Sequence, residues 1–170
     1  AHASMQAAFL KCELLTIHAS SGQKAFEEAR GLLENIPDLR PKLLGVTVLT
    51  SFDDVHWAQV TEAMTGHTVS SSFSVRGLVQ NLNAWKADGV VCSAHELEWV
   101  SKEFPSLYTV IPGIRPVGTD LGDQARVMTP KAAARLGADA IVVGRPITRS
   151  PDPAKTTALI LKELKEAHAD

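Results

Sequence analysis

Two stretches of this sequence decide its fold, Ile111-Pro112-Gly113-Ile114-Arg115 and Ile141-Val142-Val143-Gly144-Arg145-Pro146. Each is an apolar, strand-like run that ends in glycine and arginine. Glycine lets an anion approach the backbone, and arginine offers a planar set of donors that suits phosphate oxygens. A polar loop with Gly122-Asp123-Gln124-Ala125-Arg126 follows the first run. Two such strand ends lying side by side would bind a phosphate group.

Five runs rich in β-branched residues alternate with helical patterns along the chain. The runs are almost continuously apolar, which is typical of parallel strands covered on both faces. We expect Ser74 to cap its helix. This succession predicts one α/β domain over residues 1–170. The predicted strands are Leu14–His18, Leu43–Thr50, Gly89–Cys92, Leu107–Ile111 and Ala140–Val143, and the predicted helices are Ala1–Lys11, Gln23–Asn35, Val55–Met64, Ser74–Lys86, His95–Phe104, Thr129–Leu136 and Pro153–Ala167.

Small polar residues follow the strands, whereas the turns that lead into the strands are plainer. Both (β/α)8 barrels and doubly wound sheets bind ligands at the carboxyl ends of their strands. The Gly-x-Gly-x-x-Gly turn common in doubly wound folds is absent from the sequence, which favours the barrel. A barrel needs eight strand–helix units. We therefore expect this chain to supply units four to eight of a TIM barrel lacking the amino-terminal strands, with apolar edges left exposed.

The composition narrows the classes of partner. Apolar residues make up 45% of the 170 residues, and the net charge is −2. A near-neutral chain has no general attraction for nucleic acid or for an anionic membrane surface. The sequence also has no apolar run long enough for a spanning helix. We expect Cys12 and Cys92 to be buried free thiols, as in a cytoplasmic protein, and we expect no metal site.

Several other residues have a structural interpretation. Asp53-Asp54 precedes a helical pattern, so we read the pair as amino-terminal capping rather than as paired catalytic carboxylates. Trp57, Trp85 and Trp99 lie in helical segments, where they are expected to pack against the core.

Six motifs, taken in order, resemble those of the orotidine 5′-phosphate decarboxylase family, and most closely its bacterial branch. No single motif is specific, but the six together span nearly the whole chain and include the Gly-Asp-Gln loop between the two arginine sites. The matching stretches are Leu15–Ser20, Val46–Ser51, Val90–Glu96, Pro112–Arg115, Gly122–Val127 and Gly144–Thr148.

The resemblance implies a role for five residues of this chain. Arg145 and the backbone amide of Gly144 would bind the 5′-phosphate of the nucleotide. Gln124 would reach from the loop to the phosphate and the pyrimidine edge. Arg115 lies at the root of that loop in a substrate-binding position, and Thr50 would lie against the pyrimidine ring. The implied reaction converts orotidine 5′-phosphate to UMP without a cofactor, in a cytoplasmic homodimer.

The chain departs from the family in one respect. The family's catalytic lysines and aspartates lie largely in an Asp-x-Lys-x-x-Asp motif, and this sequence contains no such motif. No catalytic residue is therefore assigned in this chain, and we expect the 170 residues alone to be inactive. Two alternatives stay open at this point. One is a phosphosugar aldolase or isomerase on a related phosphate-binding barrel, and the other is a non-catalytic fragment.

Overall fold

The computed structural model describes residues 2–116 and 127–167. Strands and helices alternate through these residues, as the apolar pattern predicts. The strands are β1 (Leu14–His18), β2 (Lys42–Val46), β3 (Gly89–Val91), β4 (Tyr108–Ile111) and β5 (Ala140–Ile141). The helices are α1 (His2–Phe9), α2 (Gln23–Leu33), α3 (Asp54–Thr65), α4 (Ser71–Ala84), α5 (Ala94–Glu103), α6 (Pro130–Arg135), α7 (Arg145–Thr148) and α8 (Pro153–Ala167).

The five strands form one parallel sheet in the order β1-β2-β3-β4-β5. Val46, Val91 and Val110 are register partners in three adjacent strands. A doubly wound sheet reverses its strand order at a switch point, and this order has no reversal. The sheet therefore has the consecutive order of units in a (β/α)8 barrel, as expected from the sequence.

The main core lies between the sheet and its helices. Phe26 of α2, Val79 and Leu82 of α4, and Leu97 of α5 are fully buried in one apolar cluster. Leu82 packs so closely on β2 that a side chain at Gly45 would overlap it. Burying such side chains is the main stabilising term for the fold. It holds α4 firmly against the sheet.

The same aspartate contact recurs at the amino-terminal ends of two strands. Asp88 lies just before β3, and its carboxylate accepts hydrogen bonds from the backbone N–H of Leu43 (2.7 Å) and from Arg40 (2.9 Å). Asp139 lies just before β5 and accepts from the N–H (2.7 Å) and the hydroxyl (2.9 Å) of Thr109. Each carboxylate thus ties the start of its own strand to the start of a neighbouring strand.

Several details differ from the sequence-based expectations, among them the end of β5, which is Ile141 rather than Val143, and the short helix α7, which was not predicted. β2 ends at Val46 rather than at Thr50, because β3 ends at Val91 and the ladder between the two strands has no further rungs. Helix α4 starts at Ser71, and its cap is Ser70 rather than Ser74. Several serines in this stretch have the same capping chemistry, so composition could not distinguish them. Cys12 is exposed, whereas Cys92 is buried as expected.

Large apolar side chains are exposed near both outer strands of the sheet. Leu10 (77% exposed) and Leu14 (39%) lie at the β1 end. Val142 (49%), Leu159 (53%) and Leu161 (52%) lie at the β5 end and on α8. Water-facing apolar surface at a sheet edge favours association or aggregation, which is the expected property of a barrel section.

Replacing glycine by alanine should change the stability of the fold in opposite directions at Gly89 and at Gly31. At Gly89 of β3, an added methyl group would meet the carbonyl oxygen of Tyr108 and the side chain of Leu44, whereas at Gly31 of α2 it would meet nothing. We expect Gly89→Ala to destabilise the fold by about 1–3 kcal/mol. Gly31→Ala should stabilise it by roughly 0.5–1 kcal/mol, because alanine favours a helix interior.

Urea denaturation of the two variants and the parent protein measures both effects. Equal midpoints for Gly89→Ala and the parent would contradict the close approach of β3 to β4.

Candidate functional site

Two adjoining cavities lie at the carboxyl ends of the strands. The first, here called the apolar cavity, has a volume of about 400 Å³. Val46, Val91 and Val110 line it from adjacent strands, and Thr50 and Ser51 line it from the segment after β2. Its lining is largely apolar with a few polar residues, which is typical of a small-molecule site.

The second cavity, here called the arginine cavity, has a volume of about 210 Å³. Its lining includes Thr50, Arg115, Gly144 and Arg145. These residues come from three separate strand ends, after β2, β4 and β5. The parallel register brings them to one edge of the sheet. Two guanidinium groups at one small cavity give it the chemistry of an anion site.

The turn after β4 holds Arg115 in place. Gly113 adopts a φ of 75°, a left-handed conformation that favours glycine. Arg115 is 7% exposed, and one of its guanidinium nitrogens donates to the carbonyl of Ile114 at 2.9 Å. Its backbone N–H donates to the carbonyl of Met128 at 2.9 Å. This backbone hydrogen bond therefore links the chain before residues 117–126, at Arg115, to the chain after them, at Met128.

Arg145 is the first residue of α7, and residues 142–144 connect it to the end of β5. The carbonyl of Gly144 accepts from the backbone N–H groups of Ile147 (2.9 Å) and Thr148 (3.0 Å), which fixes the turn from strand to helix. Apart from its two neighbours in the chain, no described residue has an atom within 4 Å of the position that a Cβ atom would take at Gly144. A ligand can therefore approach the backbone beside Arg145.

Thr50 links the two cavities. It is 8% exposed and lines both of them, together with Pro112 and Val142. A ligand that fills both cavities must pass these three residues. The arrangement can accommodate a molecule with a flat apolar part at one end and an anionic group at the other.

The comparisons with known proteins give the family. A family model described as "Orotidine 5'-phosphate decarboxylase / HUMPS family" matches residues 2–160. The chain belongs to this family. The orotidine 5'-phosphate decarboxylase of Actinobacillus succinogenes is 44% identical over 156 residues, which make up 91% of this chain and 65% of that protein. That of Haemophilus influenzae (strain 86-028NP) is 43% identical and is covered to 66%. The chain thus spans slightly less than two thirds of these relatives.

Solved structures agree with this assignment. The crystal structure of orotidine 5'-phosphate decarboxylase from Lactobacillus acidophilus superimposes with a TM-score of 0.77 at 33% identity, covering 95% of this chain and 67% of that one. The orotidine 5'-monophosphate decarboxylase from Sulfolobus solfataricus has a TM-score of 0.65 at 16% identity, a likeness that concerns the fold alone. The five-stranded sheet is therefore a section of this family's barrel.

Four of the five predicted site residues meet at the arginine cavity: Thr50, Arg115, Gly144 and Arg145. The fifth, Gln124, lies outside the described residues. Sequence reasoning missed the walls that the two cavities share. Pro112 lies in one of the motifs quoted above. Val142 follows β5 and lies two residues after Ala140, so the side chains of these two residues point to the same face of the sheet. The period-two pattern could have identified Val142.

Other groups near the site have structural roles in the described parts of the chain. Asp53 caps α3, as expected, and accepts from the backbone N–H of His56 at 2.8 Å. Within residues 2–116 and 127–167, no three His, Cys, Asp or Glu side chains group as they would around a metal ion. Among the described helices, none combines the length and apolarity that a membrane span requires.

The capping contact lowers the pKa of Asp53 below the usual aspartate range. The main cause is the backbone N–H of His56, and the His56 side chain, 2.7 Å away at Nδ1, adds to it. Because the folded-state pKa is lowered, this contact stabilises the start of α3 above the ordinary aspartate pKa. The stabilisation is lost as the pH falls through the lowered value.

NMR titration of the Asp53 carboxyl group tests this order of causes. In His56→Ala the pKa should rise only part of the way, because the backbone donor remains. His67→Ala is the matched control and should leave it unchanged. If the pKa in His56→Ala returns fully to the ordinary aspartate range, the backbone contact is not the main cause.

Proposed function

We propose that this chain forms the nucleotide-binding part of an orotidine 5′-phosphate decarboxylase. The 5′-phosphate lies in the arginine cavity, and the pyrimidine ring lies in the apolar cavity. The observation that carries the proposal is the meeting of Arg115, Arg145 and Gly144 at a cavity that adjoins an apolar one. Thr50, Pro112 and Val142 contact the nucleotide where the two cavities join.

The chemistry of the substrate fits a phosphate group in the arginine cavity and a pyrimidine ring in the apolar cavity. A phosphate group carries oxygens that accept charge-assisted hydrogen bonds from guanidinium groups. A pyrimidine ring is flat, and its faces are compatible with the valine side chains of the apolar cavity. Ser51 and Thr50 supply hydroxyl groups at the side of that cavity. Gln124, by its place in the family motif, adds an amide between the ring and the phosphate.

In the proposed reaction, the bond between the pyrimidine ring and its carboxylate group breaks and carbon dioxide leaves. The electron pair stays on the ring carbon, which then takes a proton from a lysine. Fixed charges beside this carbon stabilise the transition state. By the resemblance, the lysine and its aspartates belong to an Asp-x-Lys-x-x-Asp motif outside this sequence. The residues of this chain contribute binding energy at the phosphate, far from the reacting bond.

The alternatives have less support. An aldolase or isomerase acting on a phosphosugar would use the arginine cavity, but it would have no need of the adjoining apolar cavity. The relatives described above carry the decarboxylase name. A non-catalytic fragment would bind nucleotides without turnover. We therefore retain the decarboxylase as the conclusion for the intact protein.

The intact protein should consume orotidine 5′-phosphate, with loss of the orotate-type ultraviolet absorbance, and release UMP. The assay needs no added cofactor. Failure of a folded, intact protein to change the absorbance would contradict the proposed function.

In the same assay, Arg145→Ala should lower kcat/KM at least about tenfold, because a charge-assisted bond to phosphate is lost. Arg149→Ala is the matched control. Arg149 is exposed, lies four residues further along the chain and does not line the arginine cavity. Equal kcat/KM values for Arg145→Ala and Arg149→Ala would remove Arg145 from the phosphate site.

We further propose the assembly and location that the family resemblance implies. The chain is one domain, an incomplete barrel that three further strand–helix units complete, and the intact enzyme is a cytoplasmic homodimer. The two free thiols, Cys12 and Cys92, support a reducing compartment. Sedimentation velocity of the intact enzyme should give the mass of a dimer, and a monomer at all concentrations would contradict the homodimer.

A further inference from the structure

Helix α3 follows the site directly but is weakly packed. Thr50 and Ser51 line the cavities, and Asp53 then caps α3. Thr61 is the only residue of this helix that is buried among the described residues. A third cavity, of about 590 Å³, lies between α3, α4 and the ends of β1 and β2. Trp57 is partly buried and packs against the apolar core, but no apolar side chain of α3 is fully buried. Apolar packing therefore holds α3 at few positions.

Hydrogen bonds to the next helix and to the segment just before it add to that packing. Asp54, Trp57 and Thr61 are spaced at i, i+3 and i+7, so they share one face of α3. We call the contacts of this face the α3–α4 seam. The Asp54 carboxylate accepts from Ser71 (N–H 3.2 Å, hydroxyl 2.6 Å), the Trp57 indole N–H donates to the Ser74 hydroxyl (2.9 Å), and the Thr61 hydroxyl accepts from the Val69 N–H (3.0 Å).

The seam joins α3 to a well-anchored helix. Val75, Val79 and Leu82 of α4 are fully buried in the core. Leu82 packs on Gly45 of β2. Packing on the sheet thus determines the position of α4. The hydrogen bonds of the seam then fix α3 relative to α4.

Trp57 also contacts the segment that carries the site residues. Its ring meets the ring of Phe52 edge to face, with centroids 5.5 Å apart and planes at 69°. The N–H of Phe52 donates to the carbonyl of Leu49 at 3.1 Å, which closes a turn. Thr50 and Ser51 are the two residues inside this turn. Trp57 therefore connects the turn, through Phe52, to Ser74 on α4.

We propose that Trp57 is a positioning residue for the substrate site, and that the contacts Phe52–Trp57–Ser74 hold Thr50 in place between the two cavities. The inference rests on the proposed function. A small displacement of a positioned group weakens binding or catalysis even when the group itself is unchanged. Trp57 lines neither the apolar cavity nor the arginine cavity. It acts on the site through its neighbours, of which Phe52 directly follows Thr50 and Ser51.

The test compares two tryptophans that each meet a phenylalanine ring edge to face. Trp57→Phe keeps a ring beside Phe52 but removes the indole N–H, and Ser74→Ala removes only the acceptor. Trp99→Phe is the matched control. Trp99 also meets a phenylalanine edge to face, Phe104, with centroids 6.4 Å apart and planes at 76°. Phe104 precedes β4, so this pair lies at the opposite end of the strands.

The measurements are the Kd of UMP by calorimetry and the steady-state constants of the intact enzyme. Trp57→Phe and Ser74→Ala should weaken UMP binding and raise KM about three- to tenfold. Their kcat should stay within about twofold, because the lysine and aspartate array is untouched. Ser74→Thr, which keeps the hydroxyl acceptor, should restore the parent values. Trp99→Phe should leave Kd and KM unchanged.

The outcomes separate the two proposals. If the parent enzyme does not bind UMP, the proposed function fails and this inference fails with it. If the parent binds UMP and Trp57→Phe, Ser74→Ala and Trp99→Phe have the same Kd, only the positioning role of Trp57 is overturned. A folded Ser74→Ala variant with parent-like KM would also overturn it, since that change removes a single hydroxyl group.

Discussion

The parallel hydrogen bonding of β2, β3, β4 and β5 is the constraint on which the candidate site depends. Thr50, Arg115 and Arg145 are far apart along the chain, and no direct contact between them is needed to bring them together. Each follows its own strand, and parallel strands in register end at one edge of the sheet. The proposed anion site is thus a consequence of strand register and of the residue type that follows each strand.

The register is supported from two sides. At the amino-terminal edge, Asp88 and Asp139 bind backbone N–H groups of neighbouring strands. On the outer face, buried side chains of α4 and α5 pack against the sheet. Helix α3 is the exception, because it has no fully buried apolar side chain and the hydrogen bonds of the α3–α4 seam help to hold it. Hydrogen bonds depend more steeply on geometry than apolar packing does, so the seam can define the position of the segment before α3.

Much of this arrangement could be predicted from the sequence. Parallel strands buried on both faces are continuous apolar runs, so all five strands were visible, and a glycine and an arginine after two of them predicted the meeting of Arg115 and Arg145. The end of β2 was not predictable, because a strand ends where its neighbours end. The cap of α4 was ambiguous among adjacent serines. The α3–α4 seam could not be predicted, because each of its hydrogen bonds joins residues that are separated in the sequence. Neither partner belongs to a recognisable sequence motif.

The affinity of the intact protein for UMP compared with that for uridine tests the central claim most directly. The two ligands differ only in the phosphate group. If two guanidinium groups bind that phosphate, each contact contributes roughly 1.5–3 kcal/mol, and UMP should bind at least about a hundredfold more tightly than uridine. Calorimetry or competition binding at one salt concentration measures both constants. Equal affinities for UMP and uridine would contradict a phosphate site at Arg115 and Arg145.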